Sequence, residues 1–200
     1  MVGPQLAEAR DNPVQLFRQW FTEAEKSEPQ DHNAMTLATA DKNGIPSARI
    51  VLLKDVDERG FVFFTNLRSR KGCELRENPY AALILHWKTL KRQVRIEGVV
   101  KPVTIREADD YFQSRPRQSQ LGAWASKQSE PLRDQLELAR RVSKYSAKYS
   151  TEQIPRPEFW SGLRLFPNKI EFWKEENFRL HDRTLYTRDG QEWSKNKLFP

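Results

Sequence analysis

The chain contains 200 residues, of which 38% are hydrophobic and 30% are charged, with a formal net charge of +7. This length and composition predict a soluble protein with one sizeable core. No apolar run approaches the roughly 20 residues of a membrane-spanning helix, and the start of the chain lacks the apolar stretch of a secretory signal, so we expect a cytoplasmic protein. The positive charge is spread along the chain, which favours small phosphates as ligands over nucleic acid.

The sequence offers few residues for metal binding or nucleophilic catalysis. Cys73 is the only cysteine, so an intrachain disulfide is impossible and a thiolate metal site lacks ligands. The three histidines, His32, His86 and His181, are far apart, and no Gly-x-Ser-x-Gly motif is present. We therefore expect that any chemistry depends on an organic cofactor and not on a metal.

The first part of the chain predicts a leader and one helix. Residues 1–11 carry no periodic pattern and are expected to form a flexible leader. Asn12 is suited to cap a helix and Pro13 to open it, and the apolar residues that follow fall on one side of that helix. No change in composition follows, so we expect residues 12–200 to form a single domain.

Two apolar runs rich in branched and aromatic residues come next. We predict that residues 49–54 and 61–66 pair as the two strands of one antiparallel hairpin, and that Ser69 caps a helix directly after it. The unpaired N–H groups of a helix start, together with Arg70 and Lys71, predict a phosphate site. The alternative is that these cations are solvated and that Ser69 is only an N-cap.

The middle of the chain predicts further strands and a capped helix. Residues 80–87 form an apolar run, and residues 93–102 alternate apolar and polar side chains. One face of the second strand, which includes Gln93, is therefore free to meet a ligand or water. Thr104 and Glu107 match a capping box, which predicts that a short helix begins there.

A second group of phosphate-binding side chains follows. Tyr111, Arg115 and Ser119 supply a phenol, a guanidinium and a hydroxyl within nine residues. Because Arg115 precedes a proline, residues 114–120 are predicted to form a loop. Arg and hydroxyl groups together suit phosphate oxygens, so a second phosphate site is one hypothesis. The alternative is that Tyr111 packs, Ser119 caps the next helix and Arg115 is solvated.

The last part of the chain predicts a helix followed by strands. We expect the longest helix over 134–149 and strands over 162–166, 169–174, 179–188 and 191–195. In all, about seven or eight mostly antiparallel strands are predicted. A mainly β fold, a closed or split barrel with peripheral helices, fits this order best, because regular strand–helix alternation and a Gly-x-Gly-x-x-Gly motif are missing.

One of these strands carries a dense charge cluster. In an extended strand, Arg179, His181 and Arg183 project from one face, so two cations flank a histidine. Such a group predicts an active site that receives an anion. The alternative is a solvated edge strand on which Asp182 and nearby Glu residues relieve the repulsion.

Five parts of the chain, taken together and in order, carry a resemblance to a known family. They are Arg-Ile-Val-Leu-Leu-Lys at 49–54, Phe-Phe-Thr-Asn with Ser-Arg-Lys-Gly at 63–72, Arg-Gln-Val-Arg-Ile-Glu-Gly at 92–98, the segment 111–129, and Ile-Glu-Phe-Trp at 170–173 with Arg-Leu-His-Asp-Arg at 179–183. Over about residues 12–200 the chain resembles the pyridoxine (pyridoxamine) 5′-phosphate oxidase family of flavin enzymes.

The resemblance implies a homodimer of FMN-binding split barrels with FMN at the subunit interface. It implies FMN contacts from Arg49, Ile50, Val51, Leu52, Lys54, Phe64, Thr65, Arg70, Lys71, Gln93, Gln128, Ser129, Trp173 and Arg183. It implies substrate contacts from Lys54, Tyr111, Arg115, Ser119, Arg179, Leu180 and His181. Of these, Arg179 and His181 are implied to be the catalytic residues beside the pyridoxal ring.

The resemblance also implies a reaction in vitamin B6 salvage. Hydride would pass from C4′ of pyridoxine or pyridoxamine 5′-phosphate to N5 of FMN, and O₂ would then reoxidise the flavin and give H₂O₂. The amine substrate would also release ammonia. The protein is expected to bind, orient and bias charge, because the flavin supplies the electron chemistry.

Four positions depart from the family pattern: Ser161, Lys174, Glu175 and Phe199. Two alternatives to the family's function stay open. One is a related split-barrel flavin oxidoreductase that acts on another substrate. The other is a basic nucleic-acid-binding barrel, which predicts a colourless protein with salt-dependent binding to oligonucleotides.

Overall fold

A computed structural model describes residues 12–200, so the predicted leader at 1–11 lies outside the described residues. This part of the chain contains five α-helices: α1 Pro13–Ser27, α2 Arg70–Glu77, α3 Ile105–Ser114, α4 Arg117–Ala125 and α5 Glu137–Lys148. It contains nine strands: β1 Ala34–Ala40, β2 Pro46–Leu52, β3 Asp55–Asp57, β4 Gly60–Asn66, β5 Tyr80–Trp87, β6 Arg92–Pro102, β7 Trp160–Lys174, β8 Asp182–Asp189 and β9 Glu192–Leu198. A 3₁₀ turn spans Asn177–Arg179.

All the described strands form one antiparallel sheet with the order β2-β1-β5-β6-β7-β4-β3. In addition, β8 pairs with β7, and β9 pairs with β8. The 15-residue strand β7 determines this shape. It pairs with β6 along its length, with β4 over its first part and with β8 over its last part. The sheet therefore curls into an open barrel with helices outside it, and the predicted split-barrel class is confirmed.

The helix starts follow from their capping residues. The Asn12 side chain accepts from the backbone N–H groups of Val14 and Gln15, and the Thr104–Glu107 capping box is formed as predicted. At Ser69 the side chain accepts from the N–H group of Gly72, which starts α2. These caps fix where α2 and α3 begin, and both helices line the site described below.

A buried apolar core fills the curled sheet. Phe17 and Ala24 of α1 pack there against Leu37, Phe63 and Ile96, all of them fully buried. A second, smaller cluster lies between the sheet and the helices α3 to α5, with these buried members: Phe112, Leu121, Tyr149, Ile154 and Trp160. The site lies where the second cluster meets the sheet.

The predicted hairpin is wrong. β2 pairs with β1, not with β4, and Arg49 lies in the middle of β2 instead of opening it. The β4 strand pairs with the short strand β3 and with β7. At Gly60, which begins β4, φ is +145°, and a Cβ atom there would lie 2.0 Å from the Leu165 carbonyl oxygen, so only glycine permits this pairing.

Three further boundaries differ from prediction. The expected loop at 114–120 is mostly helix, because Arg115 and Pro116 alone separate α3 from α4. The two strands predicted at 162–166 and 169–174 are one strand, β7, since Pro167 lies where the β6–β7 register shifts and removes no regular ladder bond. The helix predicted over 134–149 begins at Glu137 and is shorter than α1.

Candidate functional site

A cleft of about 960 Å³ opens between β2, β4, the start of α2 and the α3–α4 pair. This volume lies at the upper end of the roughly 300–1,000 Å³ typical of small-molecule sites. It is lined by fourteen of the twenty site residues predicted from the sequence: Arg49, Ile50, Val51, Leu52, Lys54, Phe64, Thr65, Arg70, Lys71, Tyr111, Arg115, Ser119, Gln128 and Ser129. The structure thus brings both predicted phosphate-binding groups into one cleft.

The first group lies at the start of α2. Lys71 is buried, and its Nζ donates to the Ser69 hydroxyl at 3.2 Å. The backbone N–H of Arg70 donates to the Ser129 hydroxyl, also at 3.2 Å, so a distant loop closes over the helix start. Burial and, secondarily, the charge of Arg49 lower the pKa of Lys71. A phosphate bound at this end would stabilise the protonated form of Lys71, because it would bring a negative charge close to the buried ammonium group.

Arg49 reaches this end of the cleft from β2. Its side chain is 19% exposed, and its terminal nitrogens donate to Thr39 Oγ1, Ser47 Oγ, the Leu37 carbonyl and Glu74. The alternate residues of β2 are all exposed, and the last three of them also reach the cleft lining: Pro46, Ala48, Ile50 and Leu52. The strand therefore has an inner face that includes Arg49 and an exposed, apolar outer face.

The second group lies across the cleft. Tyr111 stacks on Phe64 with ring centroids 3.8 Å apart, and the Arg115 guanidinium lies 4.6 Å from the Trp160 ring centroid. The Arg115 NH1 nitrogen is buried and has no hydrogen-bond partner among residues 12–200. Burial lowers the pKa of Arg115. A buried guanidinium nitrogen without an acceptor is costly, so this position is suited to an anion.

Trp160 lines the site, although the sequence analysis does not single it out. It lines the cleft and stacks parallel to Phe64, with centroids 5.4 Å apart. The sequence offered no signal for this contact, because Phe64, Tyr111 and Trp160 come from three separate elements. The Tyr111 ring is stacked and half-buried, as the packing alternative expected, and it lies at the cleft wall.

The remaining predicted residues do not line this cleft: Gln93, Trp173, Arg179, Leu180, His181 and Arg183. They form a second group, which lies at the start of β6, at the end of β7, and in the segment that leads into β8. In the sheet register, Gln93 lies opposite Trp173, and Trp173 lies opposite Arg183. The His181 ring centroid is 4.6 Å from that of Trp173, so part of this group is contiguous.

The prediction that Arg179, His181 and Arg183 share one strand face is wrong. The strand begins at Asp182, and Arg179 belongs to the preceding 3₁₀ turn with φ of +61°. Phe178 has φ of +57° and is 93% exposed. A left-handed conformation at two consecutive non-glycine residues is unfavourable, so local sequence preference alone does not explain this turn.

Arg183 already has a counter-ion in the described chain. Its Nε donates to Glu171 Oε1 at 2.7 Å, and the other oxygen of Glu171 accepts from Arg95 at 2.6 Å. The hydrogen bond to Glu171 raises the pKa of Arg183. The repulsion expected in this cluster is thus relieved mainly by Glu171, while Asp182 pairs with Lys197.

Two carboxyl groups beside the cleft elements have pKa values far below the ordinary range. Burial tends to raise the pKa of Glu74, but hydrogen bonds from two hydroxyl groups and from Arg70 outweigh this and lower it to about 2. In the α3 cap, hydrogen bonds from the backbone N–H and the hydroxyl of Thr104 lower the pKa of Glu107 to about 2 as well. Both groups are therefore ionised at neutral pH.

Acidification is expected to destabilise the protein as the pH falls from about 4.5 to about 2. Because each pKa is lower in the folded than in the unfolded chain, the stabilisation is complete above the unfolded value and is lost as the pH falls through the folded one. Urea unfolding followed by circular dichroism at a series of pH values measures this. Glu107→Gln should flatten the curve, and an equal slope in wild type and variant would contradict the assignment.

No described helix is both long and apolar enough to cross a membrane. Within residues 12–200 there is also no group of three or more His, Cys, Asp or Glu side chains arranged to hold a metal ion. The charged side chains that line the cleft are cations, and several of the uncharged ones carry hydroxyl groups. Both kinds of group suit phosphate esters.

Comparison with known families defines the class of protein. The profile described as pyridoxamine 5′-phosphate oxidase matches residues 21–174, and that described as the pyridoxine 5′-phosphate oxidase C-terminal dimerisation region matches residues 160–200. The chain belongs to the pyridoxamine 5′-phosphate oxidase family.

Individual relatives are similar over nearly the whole chain. Proteins named pyridoxine/pyridoxamine 5′-phosphate oxidase from Azorhizobium caulinodans and Granulibacter bethesdensis are 53% and 54% identical, and each match covers 96% of this chain and 92% of the relative. The solved structure of PhzG from Burkholderia lata 383, in complex with tetrahydrophenazine-1-carboxylic acid, has a TM-score of 0.91 at 32% identity and covers 100% of this chain and 98% of its own.

A more distant structure shows the fold alone. A pyridoxamine 5′-phosphate oxidase-related, FMN-binding protein from Nostoc punctiforme is 18% identical, with a TM-score of 0.73 and coverage of 92% of this chain and 97% of its own.

Proposed function

We propose that this oxidase converts pyridoxine 5′-phosphate or pyridoxamine 5′-phosphate to pyridoxal 5′-phosphate, with O₂ as the electron acceptor. The products include H₂O₂ and, from the amine, ammonia. The observation that carries the proposal is the pairing of two separate anion-binding ends in one cleft, the α2 start and the unpartnered Arg115 nitrogen. The names of relatives more than 50% identical over 96% of the chain support the same substrates.

The cofactor is FMN, which when bound supplies the hydride acceptor and the reaction with O₂. The start of α2 suits its phosphate, because that end offers the exposed guanidinium group of Arg70 and the buried ammonium group of Lys71. We assign the phosphate to Arg49, Arg70, Lys71, Gln128 and Ser129. The wall formed by residues 50–52, Lys54, Phe64 and Thr65 is assigned to the rest of the cofactor.

The substrate phosphate is assigned to the opposite end of the cleft. Arg115 would donate from its buried NH1 nitrogen, and Tyr111, Ser119 and Lys54 would satisfy the remaining oxygens. Stacking on Trp160 holds the Arg115 guanidinium in place before the ligand arrives. Holding both phosphates would place the two rings against each other within the cleft.

We propose that the second group of residues acts in a partner copy. Six residues do not line the cleft of their own chain, although the resemblance implies that they contribute to the same FMN and substrate site: Gln93, Trp173, Arg179, Leu180, His181 and Arg183. A two-fold homodimer would bring Arg179 and His181 of one copy to the cleft of the other. The apolar outer face of β2, the exposed Phe178 and Leu180, and the matched dimerisation region at 160–200 support this assembly.

A related flavin oxidoreductase with another substrate is the second candidate. The match to PhzG favours it, since that structure holds tetrahydrophenazine-1-carboxylic acid. A substrate without phosphate, however, would leave Arg115 NH1 buried without an acceptor. The identity to PhzG is also lower, at 32%, than to the relatives named above.

The visible spectrum of the purified protein tests this function. After incubation with FMN and gel filtration, the protein should stay yellow, and anaerobic addition of pyridoxamine 5′-phosphate should bleach the bound flavin. Admission of O₂ should restore the colour and release pyridoxal 5′-phosphate and H₂O₂. Pyridoxamine without the phosphate is the control and should bleach the flavin far more slowly.

A protein that stays colourless with excess FMN would contradict the cofactor site. A yellow protein that pyridoxamine 5′-phosphate does not bleach would contradict the substrate. Equal bleaching by pyridoxamine and its phosphate would contradict the assignment of Arg115 and its neighbours.

A further inference from the structure

We propose that Glu74 is a positioning residue for the cofactor: its carboxylate holds Arg49 and Arg70 in the arrangement that receives the FMN phosphate. The inference rests on the proposed function of the α2 end of the cleft. Glu74 itself was not singled out from the sequence, where it is one of many acidic residues on helices.

Glu74 lies one turn after the start of α2 and is buried under β1 and β2. Its side chain is 6% exposed. One oxygen, Oε2, accepts from Thr39 Oγ1 at 2.5 Å, from Ser47 Oγ at 2.7 Å and from Arg49 NH2 at 3.3 Å. The other oxygen, Oε1, accepts from Arg70 Nε at 2.8 Å. Both oxygens are therefore used, and the carboxylate joins two strands to the helix.

These bonds leave the phosphate-facing atoms of Arg70 available. The Arg70 side chain is 62% exposed at the cleft, and only its Nε is bound, to Glu74. No acceptor among residues 12–200 engages its two terminal nitrogens. A long exposed arginine normally samples many rotamers, so the bond at Nε selects the one that faces the cleft.

Arg49 is held more tightly than Arg70. Both of its terminal nitrogens are engaged by β1, β2 and Glu74, which fixes the guanidinium plane. The Thr39 and Ser47 hydroxyls that bind Arg49 also donate to Glu74. Removing the carboxylate would thus free Arg70 and leave the Thr39 and Ser47 hydroxyls without their shared acceptor, which would loosen their hold on Arg49.

The charge of the cluster supports the same role. Arg49, Arg70 and Lys71 bring three positive charges to this end of the cleft, and Glu74 is the one acidic side chain that contacts them within the described part of the chain. The formal charge of these four side chains is therefore +2, which is equal and opposite to the charge of a phosphate monoester dianion. The attraction between Glu74 and Lys71 also helps to keep the lysine protonated despite its burial.

Binding of FMN and of riboflavin, which lacks the phosphate, tests the inference. Dissociation constants are measured by quenching of flavin fluorescence for the wild type, Glu74→Ala, Glu74→Gln and the control Glu77→Gln, which changes an exposed residue of the same helix. Glu74→Ala should weaken FMN binding about tenfold or more, as expected when charge-assisted hydrogen bonds lose their geometry, and should leave riboflavin binding within about twofold. Glu74→Gln keeps one acceptor for Arg70 and should lose less, and the control should match the wild type.

Unchanged or tighter FMN binding by Glu74→Ala would overturn the inference, because the carboxylate would then only compete with the phosphate. Equal losses for FMN and riboflavin would also overturn it, since they indicate a general loss of structure. A larger loss in Glu74→Gln than in Glu74→Ala would contradict positioning too. If the wild type itself does not prefer FMN to riboflavin, the assigned phosphate site fails and not merely the role of Glu74.

Discussion

Arg179→Ala is expected to lower turnover by about 10²-fold to 10³-fold while the dissociation constant of FMN changes by less than about threefold. The reason is that Arg179 lies on the exposed 3₁₀ turn and does not line the cleft that contains the proposed phosphate sites. In the proposed dimer it orients the reacting carbon of the substrate, so its loss affects the chemical step. Steady-state kinetics at saturating substrate and a flavin titration measure the two effects separately.

Arg70→Ala is the matched comparison, because it also removes one guanidinium group, but at the proposed FMN phosphate site instead of beside the reacting carbon. It should weaken FMN binding by about tenfold to a hundredfold, the effect of losing charge-assisted bonds to a phosphate, while turnover recovers when FMN is in excess. Equal damage to both properties in both variants would contradict this division between the two arginines.

Mixed dimers of two inactive variants are expected to regain activity. In a dimer of one Arg115→Ala and one Arg179→Ala chain, one site carries both changes and the other carries neither, so the isolated mixed dimer should have about half of the wild-type activity. The expectation follows because Arg115 lines the cleft of its own chain, whereas Arg179 would serve the cleft of the partner. Coexpression with two different affinity tags isolates the mixed species for assay.

The control is a mixture of Arg115→Ala with Lys54→Ala chains. Both residues line the same cleft, so either arrangement of these chains leaves every site changed in at least one position. Activity in this control as high as in the first mixture would contradict the shared site. No recovery in the first mixture, from dimers shown to be mixed, would contradict it as well.

Much of the fold could be predicted from local sequence. The starts of α1, α2 and α3 were predicted because Asn12, Ser69 and Thr104 are caps whose effect is confined to one helical turn. The strand partners could not be predicted in the same way. Residues 49–54 and 61–66 have the composition of a hairpin, yet β2 pairs with β1, because pairing depends on the curvature of the whole sheet.

The candidate site shows the same contrast. Arg70 and Lys71 are predicted from residue type and position at a helix start, and Arg115 from its spacing with Tyr111 and Ser119; all three line the cleft. Glu74 and Trp160 were not found, since their contacts join elements far apart in sequence. The alternation rule failed at Arg179, because backbone with positive φ at Phe178 and Arg179 precedes the strand.

The length of β7 has a consequence for the proposed dimer. The strand begins at Trp160, beside the cleft of its own chain, and continues past Trp173, in the group assigned to the partner's cleft. Thirteen residues separate these tryptophans, a span of up to about 43 Å at about 3.3 Å per residue. In the proposed dimer, one continuous strand of each chain would then connect the two active sites. The backbone of that strand, and not a loop, would determine the distance between them.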